Sequence, residues 1–478
     1  MKNAEIEKWG VFETIFEGHL DGNPFVCAKI EAEFAIGQRK IKVNGFYDGQ
    51  DKYKIRFMPD AEGVWSYTVS TNVQGFDGAQ GTFTCIAPSD NNHGPVRVID
   101  RYHFAYEDGT PHHPIGTTCY VWNHQSEALE HQTIETLAKA PFNKMRMCVL
   151  PKHYTFNANE PRFYPFERDS DGGWDFERFN PEYFGHLEEC IGELMQMGIE
   201  ADLILFHEYD RWGFSKMPKE ADDRYLKYLA ARLSAYRNLW WSLANEYDLM
   251  GAKTLADWDR FFKIIQQHDP YDHLRSIHNC RGFYDHGKPW VTHCSIQHSD
   301  IARTSEWLDT YNKPVVIDEC CYEGDISNNW GNITAEEMTG RMWEAYALGG
   351  YAGHGETYLD ENDILWWSKG GVLHGESPER IAFLVQIINE APGYLAPITL
   401  NGDLRAGVGY KDEYFIVYIG NRQPKVKRGI LPEGRKYKAE IIDTWEMTVS
   451  PLEGEFSGEC EIALPGKPYQ AVRFKAII

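Results

Sequence analysis

The middle of the chain alternates short apolar segments with amphipathic helical periods, and this alternation constrains the fold more than any other feature of the sequence. Eight such segments lie between residues 105 and 390, and they read HPIGTTC, NKMRMCVL, ADLILF, LWWSLA, LRSIH, VTHCSIQ, PVVID and GGYAGHG. Strands that mostly have helices between them predict a parallel sheet, and eight such strands over this length match a (β/α)8 barrel. A doubly wound sheet is the alternative, but no glycine-rich phosphate-binding loop follows the first segment.

The two ends of the chain differ from the middle, because short alternating segments and turn signals replace the helical periods. FETIFEG, KIRFMPD and WSYTVST lie near the amino terminus, and YFIVYIG, KYKAEIID and AVRFKAII lie near the carboxyl terminus. Such patterns predict β-sandwiches. The predicted fold class is therefore α/β, with three domains: an Ig-like β-sandwich over residues 1–95, a (β/α)8 TIM barrel carrying the catalytic site over residues 96–393, and a small C-terminal β-sandwich over residues 394–478.

Three helices of the predicted barrel have recognisable start or stop signals. The segment PEYFGHLEECIGELMQMG has a 3.6-residue apolar period and ends at Gly198, a residue type common just after a helix. Thr334 and Glu337 have the spacing of a capping box. Ser377 followed by Pro378 predicts an N-cap and a first helical residue.

The composition disfavours several classes of partner. A formal net charge of −23 argues against nucleic acid and anionic membranes, because phosphate binding requires a basic surface. No apolar run approaches the ~18 residues that span a bilayer. The polar amino terminus MKNAEIEKWG lacks the apolar core of a signal peptide, which predicts a cytoplasmic protein. The ten cysteines form no C-x-x-C pair, so we expect reduced core residues rather than disulfides or zinc ligands.

Polar and aromatic residues follow all eight apolar segments, at the end of a barrel where chemistry takes place. Aromatic residues make up 14% of the chain, which favours a ligand that stacks on rings, such as a sugar. Glu246 after LWWSLA and Glu319 after PVVID stand out, since glycoside hydrolysis requires two carboxyl groups. The candidates for substrate binding are Trp122, Arg146, His153, His207, Asp210, Asn245, His278, Gln297, His298, Tyr322, Glu356, Trp366 and Trp367.

Two of these segments carry a resemblance to a known group of enzymes. SLANEYD and PVVIDECCYEG resemble the acid/base and nucleophile strands of the clan A glycoside hydrolases, which are retaining enzymes built on a (β/α)8 barrel. The layout with two flanking sandwiches, together with FHEYDRWGFS and ECCYEG, is similar to the apiosidase-like barrel proteins. The resemblance implies that Glu246 is the acid/base and Glu319 the nucleophile.

The resemblance also implies roles for neighbouring residues. Asn245 would bond the 2-hydroxyl of the sugar, and the guanidinium of Arg146 would keep the nucleophile ionised. A tryptophan after the eighth strand, Trp366 or Trp367, would form the floor of the subsite. The residues that would bind sugar or tune the glutamates are His278, Gln297 and His298.

The predicted function is that of a retaining glycoside hydrolase, exo-acting on oligosaccharides derived from plant polysaccharides. We expect an oligosaccharide or glycoside substrate, no metal and no cofactor. The sequence leaves the sugar, its linkage and the oligomeric state open.

Two alternatives come from different classes of protein. A metal-dependent barrel hydrolase would suit the many histidines, but His112 and His113 are adjacent and precede the first strand. In HEYDR, Arg211 occupies the place of the second histidine of a metalloprotease helix. A non-catalytic carbohydrate-binding barrel would keep the aromatic residues but would need neither glutamate.

Overall fold

The centre of the protein is one parallel sheet of eight strands, seen in a computed structural model that describes residues 4–404 and 406–477. In the order of the sheet the strands are Leu274–Ser276, Leu239–Ser242, Glu200–Ile204, Lys144–Cys148, Gly116–Thr118, Tyr351–His354, Val315–Glu319 and Cys294–Gln297. Each strand overlaps one of the eight apolar segments of the sequence. The predicted α/β fold with a (β/α)8 barrel is therefore confirmed.

The outermost strands of this sheet are the fifth and sixth in chain order, and they meet to close the barrel. The N–H of Thr292 donates to the carbonyl of Arg275 at 2.9 Å. The side-chain amide of Asn279 donates to the carbonyl of Gln297 and accepts its N–H, each at 3.2 Å. A few side-chain and loop hydrogen bonds thus complete the ring at this seam.

Helices follow every barrel strand except the fifth; residues 277–293, all of which are described, reach the sixth strand without one. The helices around the barrel are Glu127–Leu137, Pro181–Gln196, Lys219–Leu233, Leu255–His268, Thr304–Tyr311, Ala335–Ala347, Trp366–Lys369 and Ser377–Asn389. Short 3-10 turns lie at Trp122–His124, Phe214–Lys216, Tyr247–Leu249, Ile301–Arg303 and Asn329–Gly331, and one short helix, Pro24–Cys27, precedes the barrel.

Gly198 acts as the sequence predicts, and Thr334 supplies one half of the predicted capping box, while the Glu337 carboxylate accepts from Arg341 instead. Gly198 follows the helix Pro181–Gln196 with a φ of +71°, a left-handed conformation that glycine adopts without a side-chain clash. The Thr334 hydroxyl accepts the N–H of Glu337 at 3.3 Å and caps the helix Ala335–Ala347.

The third helix begins one residue earlier than the sequence predicts. Glu376 is the N-cap and Ser377 the first helical residue. The carboxylate of Glu323 accepts the N–H of Glu376 at 2.9 Å and that of Ser377 at 3.2 Å. A distant glutamate therefore supplies the acceptor that was expected from the serine hydroxyl.

The amino-terminal region forms two packed sheets. The strands of the first are Glu5–Glu7, Gln80–Ile86, Gly63–Thr71, Ile30–Ile36 and Arg39–Asn44, and those of the second are Phe12–Glu17, Lys52–Phe57 and Phe46–Tyr47. Aromatic side chains fill the space between the sheets, with Phe34 stacked on Phe57 at a centroid distance of 4.1 Å. A β-sandwich therefore precedes the barrel.

A small three-stranded sheet links this sandwich to the barrel. Its strands are Val96–Val98, Phe104–Tyr106 and Pro111–His112. The side chain of Phe104 packs on Trp240 of the fourth barrel strand and on Tyr351 of the eighth. These contacts cover the amino-terminal end of the barrel, so the opposite end is the one open to a ligand.

The carboxyl-terminal region also forms two sheets. The strands of the larger are Ala396–Thr399, Ala406–Tyr410, Tyr414–Gly420, Gln470–Ala476, Tyr437–Asp443 and Thr448–Pro451, and those of the smaller are Asn401–Gly402, Val426–Ile430 and Glu459–Ala463. The ring of Tyr418 stacks on Trp343 of a barrel helix at 6.0 Å. This sandwich therefore packs against the outside of the barrel.

Two pairs of short strands lie outside these sheets. Phe166–Arg168 and Trp174–Phe179 form a hairpin in the connection after the second barrel strand, and Glu323–Gly324 pairs with Glu356–Thr357 beyond the seventh and eighth. None of the helices in residues 4–404 and 406–477 is long and apolar enough to cross a membrane.

Buried charges occupy the interior of the barrel. The ammonium of Lys144 lies 2.6 Å from a carboxylate oxygen of Asp202 and 2.7 Å from one of Asp318. The hydroxyl of Ser295 donates to Asp318 at 2.5 Å. Burial opposes the charge on Lys144, but the two aspartates outweigh it and raise the pKa of the ammonium. Charge thereby joins three strands in addition to their backbone ladder, and the hydroxyl of Ser295 joins a fourth.

Replacement of Lys144 by Met should destabilise the protein by about 3–5 kcal/mol, because two buried carboxylates lose their cation. Calorimetric unfolding of the variant checks this value. The matched control is Lys42→Met, which removes an ammonium that lies on the surface 2.7 Å from Glu31 and should leave the unfolding midpoint almost unchanged. Equal shifts for the two variants would contradict the role given to the interior charges.

Candidate active site

Glu246 and Glu319 lie at the open end of the barrel, on strands that the sheet brings round to face the same space. Glu319 is the last residue of the seventh strand, and Glu246 follows the fourth after a short turn. The backbone of Glu246 is left-handed, with φ 52° and ψ 52°. The two residues are 4% and 7% exposed, so both carboxyl groups are largely shielded from water.

Hydrogen-bond donors and a cation surround the carboxylate of Glu319. The hydroxyl of Tyr120 donates to Oε1, and Nη1 of Arg146 donates to the same oxygen at 3.2 Å. A ring nitrogen of His278 lies 3.8 Å from it. Burial and the charge of Glu246 raise the pKa of Glu319, while Arg146, Tyr120 and Lys152 limit that rise. The surroundings therefore favour the ionised form against the cost of burial.

The carboxylate of Glu246 has a different environment, made of amides and a phenol. The hydroxyl of Tyr209 donates to Oε2 at 2.5 Å, and Nδ2 of Asn245 donates to the same oxygen at 3.2 Å. Nε2 of Gln297 donates to Oε1 at 3.3 Å. No arginine or lysine among the described residues forms an ion pair with this carboxylate.

Asn245 connects the two carboxylates. Its Oδ1 accepts from Nη2 of Arg146 at 3.1 Å and lies 3.2 Å from the hydroxyl of Tyr120, the two groups that also bond Glu319. Its Nδ2 bonds Glu246. One continuous hydrogen-bond network thus holds both glutamates, and it includes five of the residues predicted for the site: Arg146, Asn245, Glu246, Gln297 and Glu319.

An aromatic wall stands beside this network, and it distinguishes the two tryptophans that the sequence could not. The ring of Trp367 lies 5.8 Å from Tyr120, 5.4 Å from Tyr154 and 5.4 Å from Tyr322, between centroids. The indole N–H of Trp366 instead donates to Thr117 at 2.8 Å, inside the core. Trp367 is half-buried and Trp366 fully buried, so Trp367 is the one placed at the site.

Several other candidates contact neighbouring loops or the core. Trp122 is fully buried in the main core. The carboxylate of Asp210 accepts three backbone N–H groups from residues 212, 213 and 215, which closes its own turn. Nε2 of His207 bonds the carbonyl of Leu150 at 3.1 Å. Packing therefore holds Trp122 in the core, and hydrogen bonds to backbone groups hold Asp210 and His207.

Two predicted histidines lie on the rim. The ring of His153 meets that of Trp212 edge-on at 6.2 Å. His298 accepts the N–H of Asp300 at 2.9 Å and packs on Trp307. In the part of the chain that the structure describes, no side-chain hydrogen bond joins either histidine to Glu246 or Glu319.

Glu356 belongs to a separate buried cluster with Glu323 and His354. One potential metal-ligand atom from each residue lies within 4.8 Å of the other two. Among the described residues this is the only group of three or more side chains that could hold a metal ion. The Glu356 carboxylate accepts the N–H of His374 at 2.5 Å and of Gly375 at 2.8 Å. Burial raises its pKa to about 7. Because backbone N–H groups occupy both glutamates, the cluster anchors the loop that leads into the last barrel helix.

Three residues of the site were not selected from the sequence. Tyr120 and Tyr209 supply the phenols that bond the glutamates, and Lys152 lies against both rings. All three follow barrel strands, which was the available signal. The direction in which these three side chains point depends on the paths of the loops. The pattern of apolar residues in the sequence does not determine those paths.

Comparison with known proteins gives the family. Residues 99–377 match the family described as "Apiosidase-like, catalytic domain". Residues 5–72 and 403–475 match two domains of unknown function, DUF5060 and DUF5605. No curated protein matches the chain.

Solved structures agree with this match. A crystal structure of a "putative glycoside hydrolase" from Bacteroides vulgatus ATCC 8482 is 37% identical, covers 99% of this chain and 100% of its own, and superposes with a TM-score of 0.93. A glycoside hydrolase family 5 protein from the same organism has 16% identity over 80% of this chain and 94% of its own, with a TM-score of 0.62, and shows the fold alone. The catalytic-domain match spans more than half of the sequence, and the chain belongs to the apiosidase-like family.

Proposed function

We propose that the protein is a retaining glycoside hydrolase that works by double displacement, with Glu319 as nucleophile and Glu246 as acid/base. The observation that carries the proposal is the contrast between the two carboxylates, which share one hydrogen-bond network. Glu319 is paired with a guanidinium, whereas Glu246 is bonded by a phenol and two amides. Two carboxyl groups in such different environments can differ in protonation state, and one site can then provide both a base and an acid.

In the first step the carboxylate of Glu319 attacks the anomeric carbon as the glycosidic bond breaks. Arg146 and Tyr120 both approach Oε1, so we assign the attack to Oε2. Protonated Glu246 gives its proton to the departing oxygen, and a glycosyl ester of Glu319 forms. In the second step Glu246 takes a proton from water, whose oxygen attacks the same carbon and releases Glu319 as carboxylate.

The surroundings of the glutamates support a sugar as the substrate. The face of Trp367, with Tyr154 and Tyr322 beside it, offers the flat apolar surface on which the C–H face of a sugar ring packs. Both carboxyl groups are less than a tenth exposed, which suits a pocket for the end of an oligosaccharide better than an open groove. The substrate we propose is the terminal residue of an oligosaccharide derived from a plant polysaccharide.

A panel of nitrophenyl glycosides and plant-derived oligosaccharides tests this function directly. Release of nitrophenol or of a monosaccharide is the expected result. Binding of the same sugars without hydrolysis of any of them would favour the non-catalytic carbohydrate-binding barrel.

Exchange of each glutamate for alanine should separate the two roles. Glu246→Ala should lower kcat/KM on a natural oligosaccharide by about 10²- to 10⁴-fold, because an alkoxide leaves poorly without a proton. With a nitrophenyl glycoside the first step should survive, the glycosyl ester should accumulate, and added azide should restore turnover. Glu319→Ala should abolish hydrolysis of both substrates.

The matched control for these variants is Glu208→Gln, at the same end of the barrel. No described hydrogen bond joins Glu208 to either glutamate, and its exchange should leave kcat/KM close to that of the wild type.

Proton NMR of the first-formed sugar should show retained anomeric configuration. Inverted product would mean that Glu319 activates water, and it would remove the nucleophile from the proposal.

The two tryptophans should behave differently when each is replaced by alanine. Trp367→Ala should raise KM, and lower kcat as well if sugar binding supports distortion, with little loss of stability because the ring is half-buried. Trp366→Ala should destabilise the protein by about 3–5 kcal/mol because it opens a cavity in the core. Kinetics and calorimetric unfolding of both variants check this, and the reverse pattern would contradict the assignment.

A further inference from the structure

Lys152 carries a buried ammonium in the loop after the second barrel strand. The residue is 2% exposed, and Nζ lies 3.3 Å from the centroid of the Tyr120 ring, 4.4 Å from that of Tyr209 and 4.8 Å from that of Tyr154. No carboxylate of residues 4–404 and 406–477 lies within ion-pair distance of Nζ. Ring faces therefore replace water and counter-ions around this cation.

Two of the three rings belong to the phenols that hold the glutamates. Tyr120 donates its hydroxyl proton to Glu319, and Tyr209 donates its own to Glu246. A cation over a ring face is attracted by the ring quadrupole, with about 2 kcal/mol for a desolvated pair. The same cation draws electron density from the ring and strengthens the hydroxyl as a donor. One ammonium thus acts on the donors to both carboxylates.

We propose that Lys152 is a positioning residue of the active site: its ammonium fixes the rings of Tyr120 and Tyr209 and thereby orients Glu319 and Glu246. This inference rests on the proposed glycosidase function and extends it to a residue that contacts neither carboxylate directly. Burial and position after the second strand would not by themselves give the lysine this role.

The charges around the site set the direction of a pH effect. Burial lowers the pKa of Lys152, and the negative charges of Glu246 and Glu319 oppose that fall. Lys152 in turn acts with Arg146 to lower the pKa of Glu319. The titratable and charged groups that face Lys152 and Glu319 from the surrounding strands are Tyr120, Arg146, Cys148, Tyr154, His207, Tyr209, Glu246, His278, Asp318 and Tyr322. Loss of the ammonium therefore raises the pKa of Glu319.

The kinetic test compares Lys152→Met, which keeps length but removes charge, with Lys152→Arg, which keeps charge. We expect Lys152→Met to lower kcat/KM by about 10- to 100-fold, the scale of a small misplacement of reacting groups. The acid limb of its pH profile should move to higher pH, because the nucleophile then ionises later. Lys152→Arg should keep the limb near its wild-type position. If the rate falls but the acid limb of the pH profile stays in place, Lys152 contributes only packing, and the proposal is overturned.

A carbon-13 NMR titration of protein labelled at the glutamate δ-carbon gives a readout that does not need turnover. Glu319→Gln assigns the resonance, and its titration should move to higher pH in Lys152→Met but not in Lys263→Met. Lys263 is the matched control, since its ammonium lies 4.6 Å from the ring of Trp290 on the surface. An unchanged titration of Glu319 in Lys152→Met would overturn the inference.

The two readouts separate this inference from the function on which it rests. A wild-type protein that hydrolyses no glycoside would remove the proposed function, and the NMR titration would still decide whether Lys152 acts on Glu319. Should Lys152→Met fail to fold in calorimetry, Lys152→Gln supplies a second neutral side chain for the same titration, with the same expected shift.

Discussion

The barrel and its site both depend on the way in which the second strand neutralises carboxylates from its neighbours. Lys144 and Arg146 are two residues apart on this strand, so both side chains point into the barrel. Lys144 pairs with Asp202 and Asp318, and Arg146 pairs with Glu319 one layer higher. An ion removed from water costs several kcal/mol unless it is paired. Charge therefore fixes the register of these strands together with apolar packing, and the upper pair lies at the proposed active site.

The parts of the protein that were predictable from sequence are those that local pattern determines. Apolar runs mark all eight strands, and a glutamate at the end of such a run is visible in Glu246 and Glu319. The absence of a helix in residues 277–293, after the fifth strand, was not predictable. The hydrogen bonds of Asn279 and Thr292 that close the barrel there form only in the folded chain. The role of Lys152 was hidden for a similar reason, since a cation over a ring depends on three separate loops.

The sequence also could not show which polar residues at the strand ends are candidates for catalysis and which stabilise the fold. Asp210 closes a turn through three backbone N–H groups, and Glu356 anchors the loop before the last barrel helix. Glu246 occupies an equivalent place after a strand but receives side-chain donors from its neighbour Asn245 and from two other segments, at Tyr209 and Gln297. A carboxylate that caps a loop and one that meets a substrate have the same signature in sequence. The origin of their donors distinguishes them, and that appears only in three dimensions.

The backbone at Glu246 shows how this carboxylate is held in one orientation at the candidate site. A left-handed conformation at a residue other than glycine costs of order 1–3 kcal/mol and persists only where its surroundings impose it. Here the N–H of Asn245 donates to the carbonyl of Phe206 and that of Tyr247 to the carbonyl of His278, each at 2.9 Å, in the segments that follow the strands on either side. The turn therefore directs the Glu246 carboxylate toward Tyr209 and Gln297 rather than along the strand. Stability of the barrel and the orientation of the proposed acid/base are two consequences of the same hydrogen bonds.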